Sequence, residues 1–156
     1  MKRLATIGAA IVALLVVIAA VAAAARAPRL REPVRIRVVE RAISDTEVDT
    51  DGSGGTSDSE GDLLTFHNPI YDASNTDVVG RDLGECVLVV PGQAYDCTWT
   101  TFLPGGQIRV SGPFSFKKDT NLAITGGTGV FANADGSMFL HARNDGNFDF
   151  VFSVKP

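Results

Sequence analysis

Histidine and cysteine, which build most metal and redox centres, are scarce in this sequence, with two of each among 156 residues. Neither His67 nor His141 has another metal-type ligand near it in the sequence, and both fall on the predicted outer faces of strands. We therefore predict no metal site and no cofactor, and we expect both histidines to be solvated surface residues.

Positive charge is also in short supply, because 14 lysine and arginine residues stand against 18 aspartate and glutamate residues. Without residues 1–27 the balance falls to 11 basic against 18 acidic residues, a net charge of −7. We predict no nucleic acid partner, since such partners require a basic surface. Residues 28–41 form a local basic arm, which is either a solvated flank or a contact to a membrane surface.

The longest apolar run covers residues 4–25, and its flanks indicate a signal peptide. Lys2 and Arg3 precede the run, and Ala23 and Ala25 supply an A-x-A cleavage site. The run is also long enough to cross a bilayer, so an uncleaved anchor is the alternative, and the arginines that follow it favour retention. We expect residues 1–27 to be a signal peptide or membrane anchor, and the protein to be secreted or membrane-anchored.

Helical periodicity is absent after residue 43, whereas short segments rich in β-branched and aromatic residues alternate with turn sequences. Together with a strand over residues 34–43 they amount to about eight strands, which is typical of a sandwich or a barrel. We divide the chain after residue 27 into residues 28–60, with the basic arm, the first strand and an acidic loop, and residues 61–156, with the remaining strands. The β domain then covers residues 34–156.

Alternation predicts which side chains point inward. The predicted inner faces of three strands are Leu64, Phe66, Asn68 and Ile70; Ile108, Val110, Gly112 and Phe114; and Phe148, Phe150, Phe152 and Val154. Around Cys86 both alternating sets are apolar, so the face assignment stays open there. A strand that is apolar on both sides predicts a cover over its outer face, such as a second copy of the chain.

The two cysteines are placed symmetrically about a turn. Pro91 and Gly92 lie midway between Cys86 and Cys97, and a hairpin that folds there sets the cysteines opposite each other. Opposed cysteines form a disulfide in an oxidising compartment and stay free thiols in the cytosol. We predict the disulfide for an exported protein.

Residues 44–60 are acidic and rich in glycine and serine, which is typical of a flexible loop or linker. The same stretch also matches the ligand spacing of a calcium-binding hand, with Asp49, Asp51, Ser53, Gly54, Ser57 and Glu60 at positions 1, 3, 5, 6, 9 and 12. No helix-forming segment flanks the loop, so we favour the linker.

The stretch AITGGTGVFANADG, residues 123–136, allows a nucleotide-binding or an architectural interpretation. Residues 127–132 match the loose form GxGxxA, but poor helix formers follow, and no Gly-Lys-Ser/Thr follows for a phosphate loop. We favour the architectural interpretation, in which glycines serve where a strand bends or another backbone approaches. The structural glycines are Gly126, Gly127, Gly129 and Gly136.

The stretch AITGGTGVFANADGSM resembles a motif shared by the allene oxide cyclases and the dirigent proteins. The segments GDLLTFHNPIY, GECVLVV and GGQIRVSGPFSF resemble further cyclase segments in the same order and at similar spacing. The resemblance covers residues 61–136 well and identifies the chain as a bacterial-type member. It implies an eight-stranded antiparallel β-barrel with a cavity for one small molecule.

The resemblance also implies site residues. The water-binding Asn of the cyclases falls on Asn68 and their cavity Cys on Cys86, while the cavity Tyr falls on Phe114, which lacks the hydroxyl. Counting back from GDL without a gap places Val38 and Glu40 where the cyclases carry a Glu-x-Asn pair, so one acid remains and its position is shifted. Glu40 either lies in the apolar wall, paired with Asn68, or is solvated because the first strand ends early.

We expect the barrel to bind a small hydrophobic molecule and to template its stereoselective cyclisation or coupling, an isomerase-like activity that depends on orientation. The expected catalytic residues are Asn68 and Glu40, and the expected ligand-binding residues are Phe66, Cys86, Trp99, Val110, Phe114 and Phe150. The alternative is a non-catalytic carrier or sensor. Cys86 in a disulfide would not serve as it does in the cyclases.

Overall fold

The structure is a computed structural model that describes residues 32–52 and 59–155. The predicted signal peptide or anchor, residues 1–27, lies outside the described residues. Within them, no helix combines the length and the hydropathy that crossing a membrane requires.

Nine β-strands follow one another along the described chain. They are β1 (Val34–Glu40), β2 (Asp45–Val48), β3 (Leu63–Tyr71), β4 (Val78–Val90), β5 (Ala94–Leu103), β6 (Gly106–Phe114), β7 (Thr120–Gly129), β8 (Asp135–Ala142) and β9 (Phe148–Lys155). The segments rich in Val, Ile, Thr and Phe form these strands because such side chains fit a pleated, half-buried surface.

The strands form a closed barrel in which all pairings are antiparallel. From β3 to β9 each strand pairs with the next one in the chain, β9 pairs with β1, and β1 returns to β3 through Val39 opposite Tyr71 and Glu40 opposite Ile70. This closure confirms the eight-stranded barrel and excludes the sandwich.

The predicted first strand, residues 34–43, is divided in the structure. β1 ends at Glu40, and the short strand β2 then pairs with the other half of β3, so β1 and β2 lie end to end beside it. Arg41 N–H donates to the Pro69 carbonyl at 3.2 Å, and His67 N–H donates to the Ser44 carbonyl at 3.2 Å. Between these two bonds, Ala42 and Ile43 leave the ladder.

The core lies inside the barrel, on the faces that alternation predicted. In β9 the side chains of Phe148, Phe150, Phe152 and Val154 are all buried. The predicted inward residues of β3 and β6 are buried too, except Phe66 and Gly112, which are half-buried. Burial of one such apolar side chain stabilises the fold by ~1.5–3 kcal/mol. His67 and His141 are exposed on the outer face, as predicted.

The glycine-rich stretch forms the end of β7 and the turn into β8. A Cβ atom on Gly127 would lie 2.4 Å from the Phe131 carbonyl oxygen and 2.6 Å from that of Gln107, closer than atoms can approach. Gly129 has a φ of 62°, in the left-handed region, and a Cβ there would meet the Gly105 carbonyl oxygen. Close approach of neighbouring backbones accounts for both glycines.

Cys86 on β4 lies directly opposite Cys97 on β5, and the two form a disulfide. The predicted pairing is confirmed, and the bond is compatible with an extracellular location. The disulfide also resolves the face assignment of β4, because Cys86 and Leu88 are buried whereas Val87 and Val89 are exposed on the outer surface. That outer face remains the place where a partner copy is predicted.

Candidate functional site

A cavity of about 230 Å³ opens at one end of the barrel, where β1 ends and β9 begins. Its lining consists of Glu40, Ala42, Asp45, Leu64, Phe66, Asn68, Cys86, Trp99, Phe114, Phe116, Leu140, Gly146, Phe148 and Phe150. Beyond this cavity the barrel is filled by its own side chains, among them Ile108, Val110, Met138 and Phe152, and a second hollow, lined by Val34, Ile36 and Val154 among others, lies at the other end. The barrel is therefore hollow over part of its length only.

Six of the fourteen residues that line the cavity are aromatic. The Trp99 ring contacts the edge of Phe66, with centroids 5.9 Å apart, and lies 5.7 Å from the Phe150 ring. On the other side Phe114 packs against Phe116 and Phe148 at 4.8 and 5.4 Å. Edge-to-face pairs of this kind hold each ring in a defined orientation, so the wall has a fixed shape.

One polar pair interrupts this wall. Glu40 is the last residue of β1, and it is only 5% exposed. Its Oε1 accepts a hydrogen bond of 2.6 Å from Nδ2 of Asn68 on β3. The interpretation in which Glu40 is solvated is therefore wrong, although β1 does end at this residue, because the side chain turns into the barrel.

Asn68 is held by the backbone where β1 and β2 meet. Its Oδ1 accepts hydrogen bonds of 2.9 Å from the N–H groups of Ile43 and Ser44. Because both backbone groups are donors, this end of the amide must be the oxygen, and Nδ2 must point to Glu40. The amide is thus fixed as a donor toward the carboxyl group that lines the cavity.

A second buried acid, Asp82 on β4, lies behind this pair. Asn68 N–H donates to Asp82 Oδ1 at 3.1 Å, and the carboxyl groups of Glu40 and Asp82 are within hydrogen-bonding reach of each other. Burial raises the pKa of Glu40 to about 7, against the lowering effect of its hydrogen bonds to Asn68 and Asp82. Burial and the nearby charge of Glu40 raise the pKa of Asp82 to about 9.

The structure brings most of the sequence-predicted site residues together around the cavity. Asn68, Glu40, Phe66, Cys86, Trp99, Phe114 and Phe150 all line it. Val110 is fully buried on β6 but belongs to the filled part of the barrel. The sulfur of Cys86 is bound to Cys97, so Cys86 contributes wall surface rather than a thiol.

Several residues at the site were not predicted from the sequence. Phe148 shares the inward face of Phe150, so the alternation already contained it. Asp82 lies on the same face of β4 as Cys86, four residues earlier, and an acid in an inward position was the available signal. Asp45 and Ala42 lie at the exposed rim of the cavity, where the sequence shows no periodicity.

The stretch that matches the spacing of a calcium-binding hand, residues 49–60, for which we favoured a linker, includes residues 53–58, which lie outside the described residues. Carboxylate oxygens of Asp49, Asp51 and Asp62 lie within 4.8 Å of one another. Both oxygens of Asp62 accept hydrogen bonds, one set from Thr50 and the other from Ser59. These donors lower the pKa of Asp62 to about 2 and fit a structural role in closing the loop.

Comparison with known proteins gives one family match. The sequence profile of the family described as allene oxide cyclase matches residues 38–144, which include the last three residues of β1 and all of β2–β8.

Solved structures with the same barrel include proteins of different activities. A structure titled pyocyanin demethylase has a TM-score of 0.63 and 22% sequence identity, with 76% of this chain and 100% of that chain covered. A pterocarpan synthase dirigent protein has a TM-score of 0.61 and 15% identity, with 83% and 100% covered. An exo-specific intermolecular Diels-Alderase has a TM-score of 0.58 and 15% identity, with 81% and 100% covered. At these identities the likeness concerns the fold.

Proposed function

Because the chain belongs to the allene oxide cyclase family, we propose that its barrel binds a small, uncharged, apolar molecule and templates a stereoselective cyclisation or coupling of that molecule. The observation that carries this proposal is the cavity itself, an aromatic hollow of about 230 Å³ with one acid–amide pair in its wall.

The size and the walls of the cavity favour a compact ring-containing ligand. In another protein an apolar cavity of ~150 Å³ holds benzene, so this cavity suits a ligand of about two fused rings. The rings of Trp99, Phe150 and Phe114 offer faces and edges against which such a ligand can stack.

The charges at the cavity favour an uncharged ligand. Among the residues that line it, Glu40 and Asp45 are acids, and none is lysine, arginine or histidine. An anionic ligand would lose its hydration without gaining a cationic partner, which costs several kcal/mol.

A template of this kind acts through orientation. Holding a flexible molecule in a near-attack geometry lowers a barrier by several kcal/mol without a nucleophile. Within the wall, Glu40 and Asn68 are placed to contact an oxygen of the bound molecule, and no free thiol is present among the described residues. The disulfide at Cys86 and the missing hydroxyl at Phe114 separate this site from the cyclase pattern, so we do not extend the proposal to the cyclases' own substrate.

A non-catalytic carrier or sensor is the second candidate. It is favoured by the same wall, because the cavity offers ample apolar contact and only one polar pair. Native mass spectrometry of the purified protein identifies a co-purifying molecule, and incubation with that molecule then shows whether it is converted. Conversion supports the template, and binding without conversion supports the carrier.

Two variants separate binding from turnover. We expect Glu40→Gln and Asn68→Ala to retain most of the ligand affinity and to lose product formation or stereoselectivity. The control is Asp135→Asn, which removes an exposed ion pair with Lys155 at the other end of the barrel. If no molecule co-purifies and no neutral bicyclic probe binds, the proposed function is wrong.

We further propose that the protein is exported. The pattern of residues 1–27 and the disulfide Cys86–Cys97 support export. Sequencing of the amino terminus after expression of the full chain tests it: cleavage after the A-x-A site indicates secretion, and an intact terminus in the membrane fraction indicates an anchor.

A further inference from the structure

Asp82 is a buried acid that does not belong to the cavity lining. It lies opposite Asn68 in the β3–β4 ladder, and its side chain is fully buried. Its Oδ1 accepts the Asn68 N–H, whereas its Oδ2 receives no N–H or O–H donor from the described residues. Asn68 donates to both acids, through its backbone N–H to Asp82 and through Nδ2 to Glu40, and this holds the two carboxyl groups within hydrogen-bonding reach of each other.

No cation compensates this pair within the described part of the chain. Arg41, which follows Glu40, bonds Asn75 and lies over the Tyr71 ring. Arg81, which precedes Asp82, stacks outward on the Phe102 ring. Thr101 faces Asp82 across the β4–β5 ladder, but its hydroxyl makes no hydrogen bond, and the other acid at the cavity, Asp45, is exposed at the rim.

Two neighbouring carboxylates in an apolar interior cannot both be ionised at modest cost. A proton on one of them removes the repulsion and supplies a donor, because a carboxylic acid donates through its O–H. In the empty barrel Glu40 donates it to Asp82 Oδ2, and a bound ligand oxygen takes the place of Asp82 as the acceptor. Aspartic protease dyads show the same sharing of one proton between two acids.

We propose that Glu40 and Asp82 hold a proton between them at neutral pH, and that Asp82 is a positioning residue that keeps Glu40 able to donate a hydrogen bond to an oxygen of an uncharged ligand. The ligand class is thereby a small ring compound with a carbonyl, ether or epoxide oxygen. The ligand part rests on the proposed function, whereas the shared proton does not.

The pKa directions agree with this geometry. Burial is the largest cause for both acids, and it raises the pKa of Glu40 as well as that of Asp82. The contact with Glu40 raises the pKa of Asp82 further. Because the sites interact, the proton belongs to the pair, and only Glu40 can present it to the cavity.

A carbon-13 NMR titration of the side-chain carboxyl groups tests the shared proton without any ligand. In the wild-type protein, we expect the pair to retain at least one proton at neutral pH. In Asp82→Asn the new amide still accepts from Asn68 N–H and donates to Glu40, so the single remaining acid, Glu40, should lose its proton at least ~1 pH unit below the pH at which the wild-type pair loses its last one. The control is Asp149→Asn, which removes an acid bonded to Arg37 and Arg143 on the outer side and should leave the Glu40 midpoint unchanged.

Two results overturn the shared proton: full ionisation of both wild-type acids below neutral pH, or a Glu40 in Asp82→Asn that keeps its proton to as high a pH as the wild-type pair does. If Asp82→Asn does not fold, Glu40→Gln gives the reciprocal measurement. The Asp82 midpoint should then fall toward its ordinary range, because the Glu40 charge is gone. An unchanged midpoint would overturn the proposal in the same way.

A matched pair of probes tests the ligand class. 2-Acetylnaphthalene and 2-naphthoate share one ring system, but the first is a neutral ketone and the second an anion. Binding is followed by calorimetry and by quenching of Trp99, the single tryptophan of the chain and part of the cavity wall.

We expect the ketone to bind at least ~10-fold more tightly than the carboxylate at neutral pH. Its affinity should fall as pH rises, and this decline should begin at lower pH in Asp82→Asn. Equal binding of the two probes overturns the ligand class. Failure of both probes to bind, with the NMR result intact, refutes the proposed function and leaves the shared proton standing.

Discussion

Asn68 Nδ2 donates to Glu40 Oε1 at 2.6 Å, although the two residues lie 28 positions apart in the chain. The contact exists because β1 closes the barrel against β3, which brings Glu40 beside Ile70, two residues from Asn68. The same amide receives the backbone N–H groups of Ile43 and Ser44. One side chain therefore joins the barrel closure to the acid in the cavity.

We predict that Asn68→Ala destabilises the protein by ~2–4 kcal/mol. The variant removes the acceptor of two backbone donors, Ile43 N–H and Ser44 N–H, and one of the donors to the buried acid Glu40. Denaturant unfolding at neutral pH measures the loss. The control is Asn121→Ala on β7, an exposed position, which should change the free energy of unfolding by less than ~0.5 kcal/mol. Equal stability of the two variants would contradict the prediction.

The free energy of unfolding should fall as pH rises through neutrality. The pKa of Glu40 is raised from 4.5 to about 7 and that of Asp82 from 3.8 to about 9, so the folded protein binds more protons than the unfolded chain across this window. Stability decreases with pH wherever the folded state holds the extra protons. Asp62 acts outside the window, because its pKa is lowered to about 2 and its contribution is lost only in acid.

Denaturant midpoints at about pH 5 and about pH 9 measure this decline. Glu40→Gln should reduce it, because one acid no longer titrates and the charge that raises the pKa of Asp82 is gone. A wild-type protein that is more stable at the higher pH would show that the two acids ionise in the folded state without cost.

Removal of the disulfide should cost ~3 kcal/mol on the loop-entropy model. Cys86 and Cys97 close a short hairpin, and cross-linking them restricts the unfolded chain. The measurement compares denaturant unfolding of wild type with that of Cys86→Ala/Cys97→Ala. Wild type treated with a reductant serves as the control and should behave like the double variant. A reduced protein as stable as the oxidised one would mean that the bond adds nothing to stability.

Blocking the mouth of the cavity should prevent ligand entry without unfolding the barrel. Ala42 lies exposed at the cavity rim, so Ala42→Trp adds an indole there without displacing core residues. We expect the affinity for 2-acetylnaphthalene, measured by calorimetry, to fall at least ~10-fold. The matched control is Ala132→Trp, an equally exposed alanine near Val34 and Val154 at the other end. Equal affinities in both variants would place the ligand elsewhere.

The sequence was sufficient for the features that follow from local pattern. Alternation in Phe148, Phe150 and Phe152 predicts an inward face because side chains in a strand point to opposite sides in turn. The opposition of Cys86 and Cys97 follows from the position of the turn between them. Both are confirmed, because each depends on residues within one strand or one hairpin.

The features that the sequence could not supply depend on contacts between distant strands. The burial of Glu40 is decided by the pairing of β1 with β3, which no local pattern encodes. β2 lies in an acidic stretch of low β propensity and exists because β3 extends beyond the end of β1 and offers it a partner. Asp82 can be recognised as part of the site only when its contacts with Glu40 and Asn68 are known.

The double attachment of Asn68 limits how a barrel of this kind can diversify. A replacement at position 68 that suited a new substrate would also remove the acceptor of the Ile43 and Ser44 N–H groups. The barrel wall would then be weaker where β1 and β2 meet. The rings of Phe66, Phe114 and Phe116 hold no backbone N–H groups in this way. Engineering toward other substrates should therefore vary the aromatic residues of the lining and keep the Asn68 amide.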